Sequence, residues 1–235
     1  MSGTQPTIPT RAGTVSTPEE LTADRVTKSL LGYGVIAGPV YVVTSLAQAL
    51  LRDGFDLGRH AWSQLALGGP GWVQVTNFVV SGLMTIAAAV GLHRALRTGP
   101  AATWSPRLLA VFGLSLIAAG AFPVDPAGGF PVGAPQATAI SATAAVHMLA
   151  GAIGFPCLAA ALLLLARRLS GEGFPRLALA CRLVGPLFLV AFLAMASGAL
   201  GAAGIPVFVV AVIAVFALLS VVFVHRYRQM PNTDG

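Results

Sequence analysis

Asp56, Arg59 and His60 stand close together in the stretch RDGFDLGRHAWSQLALGGPGW, which runs from Arg52 to Trp72. Asp56 and His60 are four residues apart, the spacing that puts a carboxylate and an imidazole on one helical face. Asp125, in FPVDPAGGFPVGAP, and His147, in HMLAGAIGF, add a second of each type. Carboxylates and imidazoles gathered in one place serve as general acids and bases or as ligands for a metal ion. Asp56, His60, Asp125 and His147 are therefore the metal-ligating candidates. The connector bearing Asp125 leads directly into the segment of His147, so the two are expected to meet, with His147 as a proton-accepting or metal-binding group.

A second set lies inside apolar runs. Gln74, Asn77, Ser81 and Thr85 follow one another at i, i+3, i+7 and i+11, one stripe of a helix. Tyr41, Thr44 and Gln48 share helical spacing in the preceding run. Polar side chains are costly in lipid and turn toward a bundle interior. Gln48, Gln74, Asn77 and Ser81 are thus expected beside Asp56, Arg59, His60, Asp125 and His147, as the lining of one polar pocket. A structural reading stands next to this one. The amides and hydroxyls would then be interhelical hydrogen bonds, worth about 0.6 kcal/mol each. Asp56 would be a helix cap, and Arg52 with Asp53 or Asp56 an ion pair pinning a loop.

No H-E-x-x-H pattern, P-loop, G-x-S-x-G elbow or cysteine cluster is present. Cys157 and Cys181 lie in apolar runs and read as small buried hydrophobes. Haem between helices would need paired histidines within spans. Only His147 is well inside one, and His93 falls at the opposite end, so haem is not expected. The residues name no other cofactor.

The elements that must position these groups follow from composition. The chain is 56% hydrophobic and 9% charged, with a mean hydropathy of +0.81. Soluble chains carry about 25% charged residues, so much of this surface must face lipid. Six apolar runs approach the ~20 residues that a span needs. They lie near 30–51, 72–93, 106–122, 142–166, 179–197 and 201–224. No alternating strand pattern is present, which excludes a barrel. The fold class is an all-α integral membrane bundle of six transmembrane helices.

Of the 14 Lys and Arg residues, only Arg52 and Arg59 fall on one side of these spans. The rest, from Arg11, Arg25 and Lys28 to Arg226 and Arg228, fall on the other. The positive-inside rule puts both termini in the cytoplasm and makes this a multi-pass protein of the cytoplasmic membrane. The net charge of +6 therefore reports topology, and the expected partner is membrane lipid rather than nucleic acid. Protein partners are not identified.

Three regions are expected. Residues 1–28 are a disordered cytoplasmic tail ending in a short interfacial helix, with Thr17 as N-cap, Pro18 at the first position and Glu20 completing a capping box. Residues 29–225 form the transmembrane domain, and 226–235 a cytoplasmic tail. In the first outer connector, Asp56 caps a short helix that lays Trp62, Leu65 and Ala66 on the interface. The second is too rich in proline for helix and folds over the outer mouth. The two inner connectors share a basic helix end, a Gly-containing turn and Pro-Arg-Leu. This leaves a parallel duplication of hairpins open beside simple convergence.

The segments RDGFDLGRHAWSQLALGGPGWVQVTNF, FPVDPAGGFPVGAP and HMLAGAIGF resemble the bacterial membrane family known as domain of unknown function 998. The resemblance covers nearly all of the chain after the tail. It implies a bundle of mostly six helices and brings no activity, substrate or catalytic residue. Residue by residue it picks out Gly54, Phe55, Asp56, Arg59, His60, Ser63, Gly71, Trp72, Gln74, Asp125, Pro126 and His147. The expected function is binding of a small ligand, ion or lipid headgroup in an outward polar pocket, for transport or sensing. The alternatives are an outer-leaflet lipid hydrolase or transferase using the Asp/His cluster, and a structural or assembly partner of other membrane proteins.

Overall fold

The computed structural model describes residues 17–231. Six helices dominate it: α1 (Pro18–Leu51), α2 (Gly71–Ala95), α3 (Pro100–Ala121), α4 (Ala142–Gly171), α5 (Pro175–Ala196) and α6 (Gly204–Gln229). The shortest have 22 residues, about 33 Å at 1.5 Å per residue, enough to cross a hydrocarbon core of about 30 Å. All six are apolar enough to do so. Their outward faces carry Val43, Leu114, Leu187, Val190 and Val210, each more than half exposed. This is an all-α, multi-pass membrane protein.

The start of α1 is set by local chemistry. Thr17 Oγ1 accepts from the Glu20 amide at 3.3 Å, and Glu20 Oε2 accepts from the Thr17 amide at 2.9 Å. This reciprocal box closes two of the orphan donors of a helix N-terminus. The helix it opens is not a separate interfacial element. It runs unbroken into the first span, because nothing between Glu19 and Gly38 interrupts the ladder. The rest of the N-terminal tail, residues 1–16, and residues 232–235 lie outside the described residues.

Consecutive helices pack side by side, and α6 returns to pack on α1, so the six form a closed ring. Small residues permit the close approaches, as is usual between membrane helices. A Cβ on Gly82 of α2 would lie 2.6 Å from the Gly113 carbonyl oxygen of α3, and one on Gly113 2.8 Å from that of Gly82. On α1, Gly34 lies under the Phe223 ring, and a Cβ on Gly38 would lie 2.7 Å from the Phe216 carbonyl oxygen of α6.

The third helix begins at Pro100, after Gly99 at φ +89°, so Pro106 falls inside it. A proline lacks the amide that would bond the carbonyl four residues back. For Pro106 that carbonyl belongs to Ala102, and His93 Nδ1 of α2 lies 3.5 Å from it. In α5 the same Pro-Arg-Leu triplet sits at the helix start, with Pro175 as first residue. The triplets of the two inner connectors therefore occupy different places in their helices.

The start of α1, the end of α6 and the short connectors α2–α3 and α4–α5 lie at one end of the ring, the terminal end. There Arg94 Nε donates to Thr27 Oγ1 at 2.9 Å, and Arg168 Nη1 donates to the Thr98 carbonyl at 2.7 Å. Glu172 pairs with Arg168 and, at 2.7 Å, with the buried Arg226 of α6. The two long connectors lie at the opposite, capped end.

Candidate functional site: an apolar cavity beneath a loop cap

The two long connectors, residues 52–70 and 122–141, fold on each other into one cap. The Arg52 guanidinium turns inward, where burial lowers its pKa. Its Nη1 and Nη2 donate to the carbonyls of Leu65 and Leu67 at 2.6 and 2.7 Å, and its plane lies 4.8 Å from the Phe130 ring centre. Asp56 Oδ1 accepts from the Gly58 amide at 2.7 Å, while the Asp56 amide donates to His60 Nδ1 at 2.9 Å. His60 Nε2 therefore carries the ring hydrogen, and it donates to the Gly128 carbonyl at 3.0 Å. Gln64 Nε2 adds a bond to the Ala127 carbonyl at 2.8 Å. Phe55, His60 and Phe130 pack ring to ring beneath these bonds. Arg52, Asp56 and His60 thus build the loop itself. Arg59 remains at its surface, with Nη2 3.5 Å from the Gly128 carbonyl.

The short helix of this connector is a 3₁₀ turn over Trp62–Ala66, and Asp56 does not cap it. Trp62 is 4% exposed and Leu65 fully buried, which corrects the expectation that they lie on the membrane interface. Their apolar face is satisfied by the bundle below, where Trp62 meets Tyr41 with ring centres 6.2 Å apart.

Gln48, Gln74, Asn77 and Ser81 do come together, as a seam between α1 and α2. Gln74 Oε1 accepts from Gln48 Nε2 at 2.7 Å, and Asn77 Nδ2 donates to Ser45 Oγ and to the Tyr41 carbonyl, both at 3.1 Å. Ser81 and Thr85 continue the seam. These groups bond one another, apart from Gln48 Oε1, which is buried without a partner, and they do not line the central cavity. A buried amide left unpaired costs about 1–3 kcal/mol, so mutual pairing is the stable arrangement.

The large opening lies elsewhere. A cavity of about 640 Å³ occupies the middle of the ring below the cap. Aromatic rings dominate its wall. Phe155 of α4 meets Phe188 and Phe192 of α5 edge to face, with centres 5.0 and 4.8 Å apart, and Phe208 of α6 at 5.8 Å. Tyr41 and Phe216 stack at 4.7 Å on the opposite wall. Met148, Ala152 and Leu193 line the cavity and are exposed, so it opens on the flank between α4 and α5. At the terminal end the same two helices close up around Leu162, Leu165 and Cys181, all buried.

Of the nine candidate pocket residues, only His147 lines this cavity. Its Nδ1 lies 3.1 and 3.0 Å from the carbonyls of Ala119 and Phe122 at the end of α3. Carbonyls only accept, so Nδ1 donates and Nε2 is left as the ring's acceptor. Asp125 does not reach His147. Its Oδ2 accepts from the Ser141 amide at 2.8 Å, at the start of α4, and hydrogen bonding from the Ser141 side chain and then its amide holds the carboxyl below the usual range. Asp56, His60, Asp125 and His147 thus have separate partners, and among the described residues no three His, Cys, Asp or Glu side chains form a metal-binding group.

Residue types alone did not mark the aromatic wall or Trp62. Trp62 Nε1 is buried and has no hydrogen-bond partner. Pro156 also removes the amide that would bond the carbonyl of Ala152 on the cavity wall.

The model of the family described as protein of unknown function (DUF998) matches residues 35–229. The match takes in the second half of α1, all of α2 to α6 and both connectors of the cap, and the chain belongs to this family. No curated protein and no solved structure matches it.

Proposed function

We propose that this protein binds a lipid-like small molecule within the cytoplasmic membrane, with its termini in the cytoplasm and the cap outside. The observation that carries the reading is the aromatic cavity of about 640 Å³ opening on the flank between α4 and α5. Its size falls in the range of about 300–1,000 Å³ typical of small-molecule sites. Its wall is too apolar to favour an ion or a free headgroup, so the ligand is an amphiphile whose chain enters sideways from the bilayer. The cap above supports retention, since its buried bonds join two connectors into one cover.

Native mass spectrometry of the protein in mild detergent, incubated with single-chain lipids of 16 carbons, tests the reading. A one-to-one adduct is expected. Ala152→Phe and Ala196→Phe, which fill the cavity from exposed positions on its wall, should remove the adduct while leaving thermal stability unchanged. Absence of a stoichiometric adduct on the unsubstituted protein would overturn it.

A further inference from the structure

The cavity is almost wholly apolar, and Tyr41, Trp62, Ser63, Ser115 and His147 carry its side-chain polar groups. Trp62 lines it at the capped end, 96% buried, with an Nε1–H that no group in the protein accepts. An indole nitrogen only donates. A buried donor without a partner is destabilising, and such orphans call for an explanation such as a ligand. His147 lines the same end and offers the opposite function. Its Nδ1 is committed to the α3 carbonyls, which leaves Nε2 to accept.

One chemical group answers a donor and an acceptor together. A hydroxyl accepts through its oxygen lone pairs and donates its hydrogen. No charged side chain lines the cavity to neutralise a carboxylate or phosphate. A hydrocarbon would satisfy neither group. We infer that the ligand is a long-chain lipid alcohol, its hydroxyl under the cap between Trp62 and His147. Its chain runs down toward Phe155, Phe188 and Phe208. Phe155 lies eight residues beyond His147 on α4, about 12 Å deeper at 1.5 Å per residue. The inference rests on the binding reading proposed above and adds the headgroup.

Competition with a pyrene-labelled alkane, on purified protein in nanodiscs, separates the two. The competitors are 1-hexadecanol, its methyl ether, palmitate and hexadecane. The methyl ether keeps the acceptor and loses the donor. Hexadecanol should compete best, with the ether weaker by about fivefold and hexadecane by about thirtyfold, each hydrogen bond being worth about 1 kcal/mol. Trp62→Phe should narrow the gap between ether and hexadecane, and His147→Phe that between alcohol and ether. Equal competition by all four on the unsubstituted protein, or stronger competition by palmitate, overturns the alcohol assignment and leaves the apolar site standing. Failure of the labelled alkane itself to bind overturns both.

Discussion

His60 Nε2 donates to the Gly128 carbonyl at 3.0 Å, joining two connectors 68 residues apart in the chain. This bond closes the cap at the point where Gly128 takes a left-handed conformation, φ +68°. A Cβ there would also lie 3.2 Å from the His60 ring.

Gly128→Ala should therefore lower the thermal midpoint clearly. The backbone strain alone is worth about 1 kcal/mol or more. Gly69→Ala, in the other connector, meets nothing within 4 Å and should leave it unchanged. Equal midpoints in a fluorescence-detected thermal melt would show that the connectors do not act as one cover.

Gln74 is fully buried and lies at the centre of the α1–α2 seam. Gln74→Leu should destabilise by about 1–3 kcal/mol, because Gln48 and Ser45 lose their partner. Adding Gln48→Leu and Ser45→Ala should recover part of the loss, since removing both ends of a buried bond costs less than removing one. Strictly additive losses would contradict a shared network.

Glu172 contributes to the response to acid. Burial pushes its pKa up, but the hydrogen bonds and charges of Arg168 and Arg226 outweigh it and hold the carboxyl below its usual range. The contribution is then complete above the unfolded carboxylate pKa of about 4.3. It is lost as pH falls through the lower folded value. Glu172→Gln should remove this part of the acid transition and cost about 3–5 kcal/mol at neutral pH, because Arg226, 4% exposed, loses its charge partner. Melts from pH 3 to 7 check both effects.

Topology is open to labelling. In a background with Cys157→Ala and Cys181→Ala, Gly69→Cys and Thr138→Cys lie on the cap, and Gly171→Cys at the terminal end. An impermeant thiol reagent on intact cells should label the first two only. Labelling of the third alone would place the termini outside.

Much of the fold is legible where its causes are local. The Thr17–Glu20 box needs only neighbouring residues, and the stripe from Gln74 to Thr85 needs only a helical period. The cavity has no such signature. Phe155, Phe188 and Phe208 read in sequence like any residues of a span, and a void arises from how far α4 and α5 diverge, which no single segment encodes. The placing of Trp62 and Leu65 fails for a related reason. An apolar face announces burial without saying whether lipid or the rest of the bundle supplies it. Asp125 and His147 are adjacent in order along the chain, yet nearer backbone partners hold each of them.

The contact between α1 and α6 has a consequence for biogenesis. Every other major interface joins helices that follow one another in the chain, so each can form as the next span leaves the translocation machinery. The slot around Gly34 and Gly38 must wait for Phe216 and Phe223, which are made last. Until then the nascent ring is an open arc whose first helix shows a notched face to lipid. A chain halted before α6 would keep that notch unfilled.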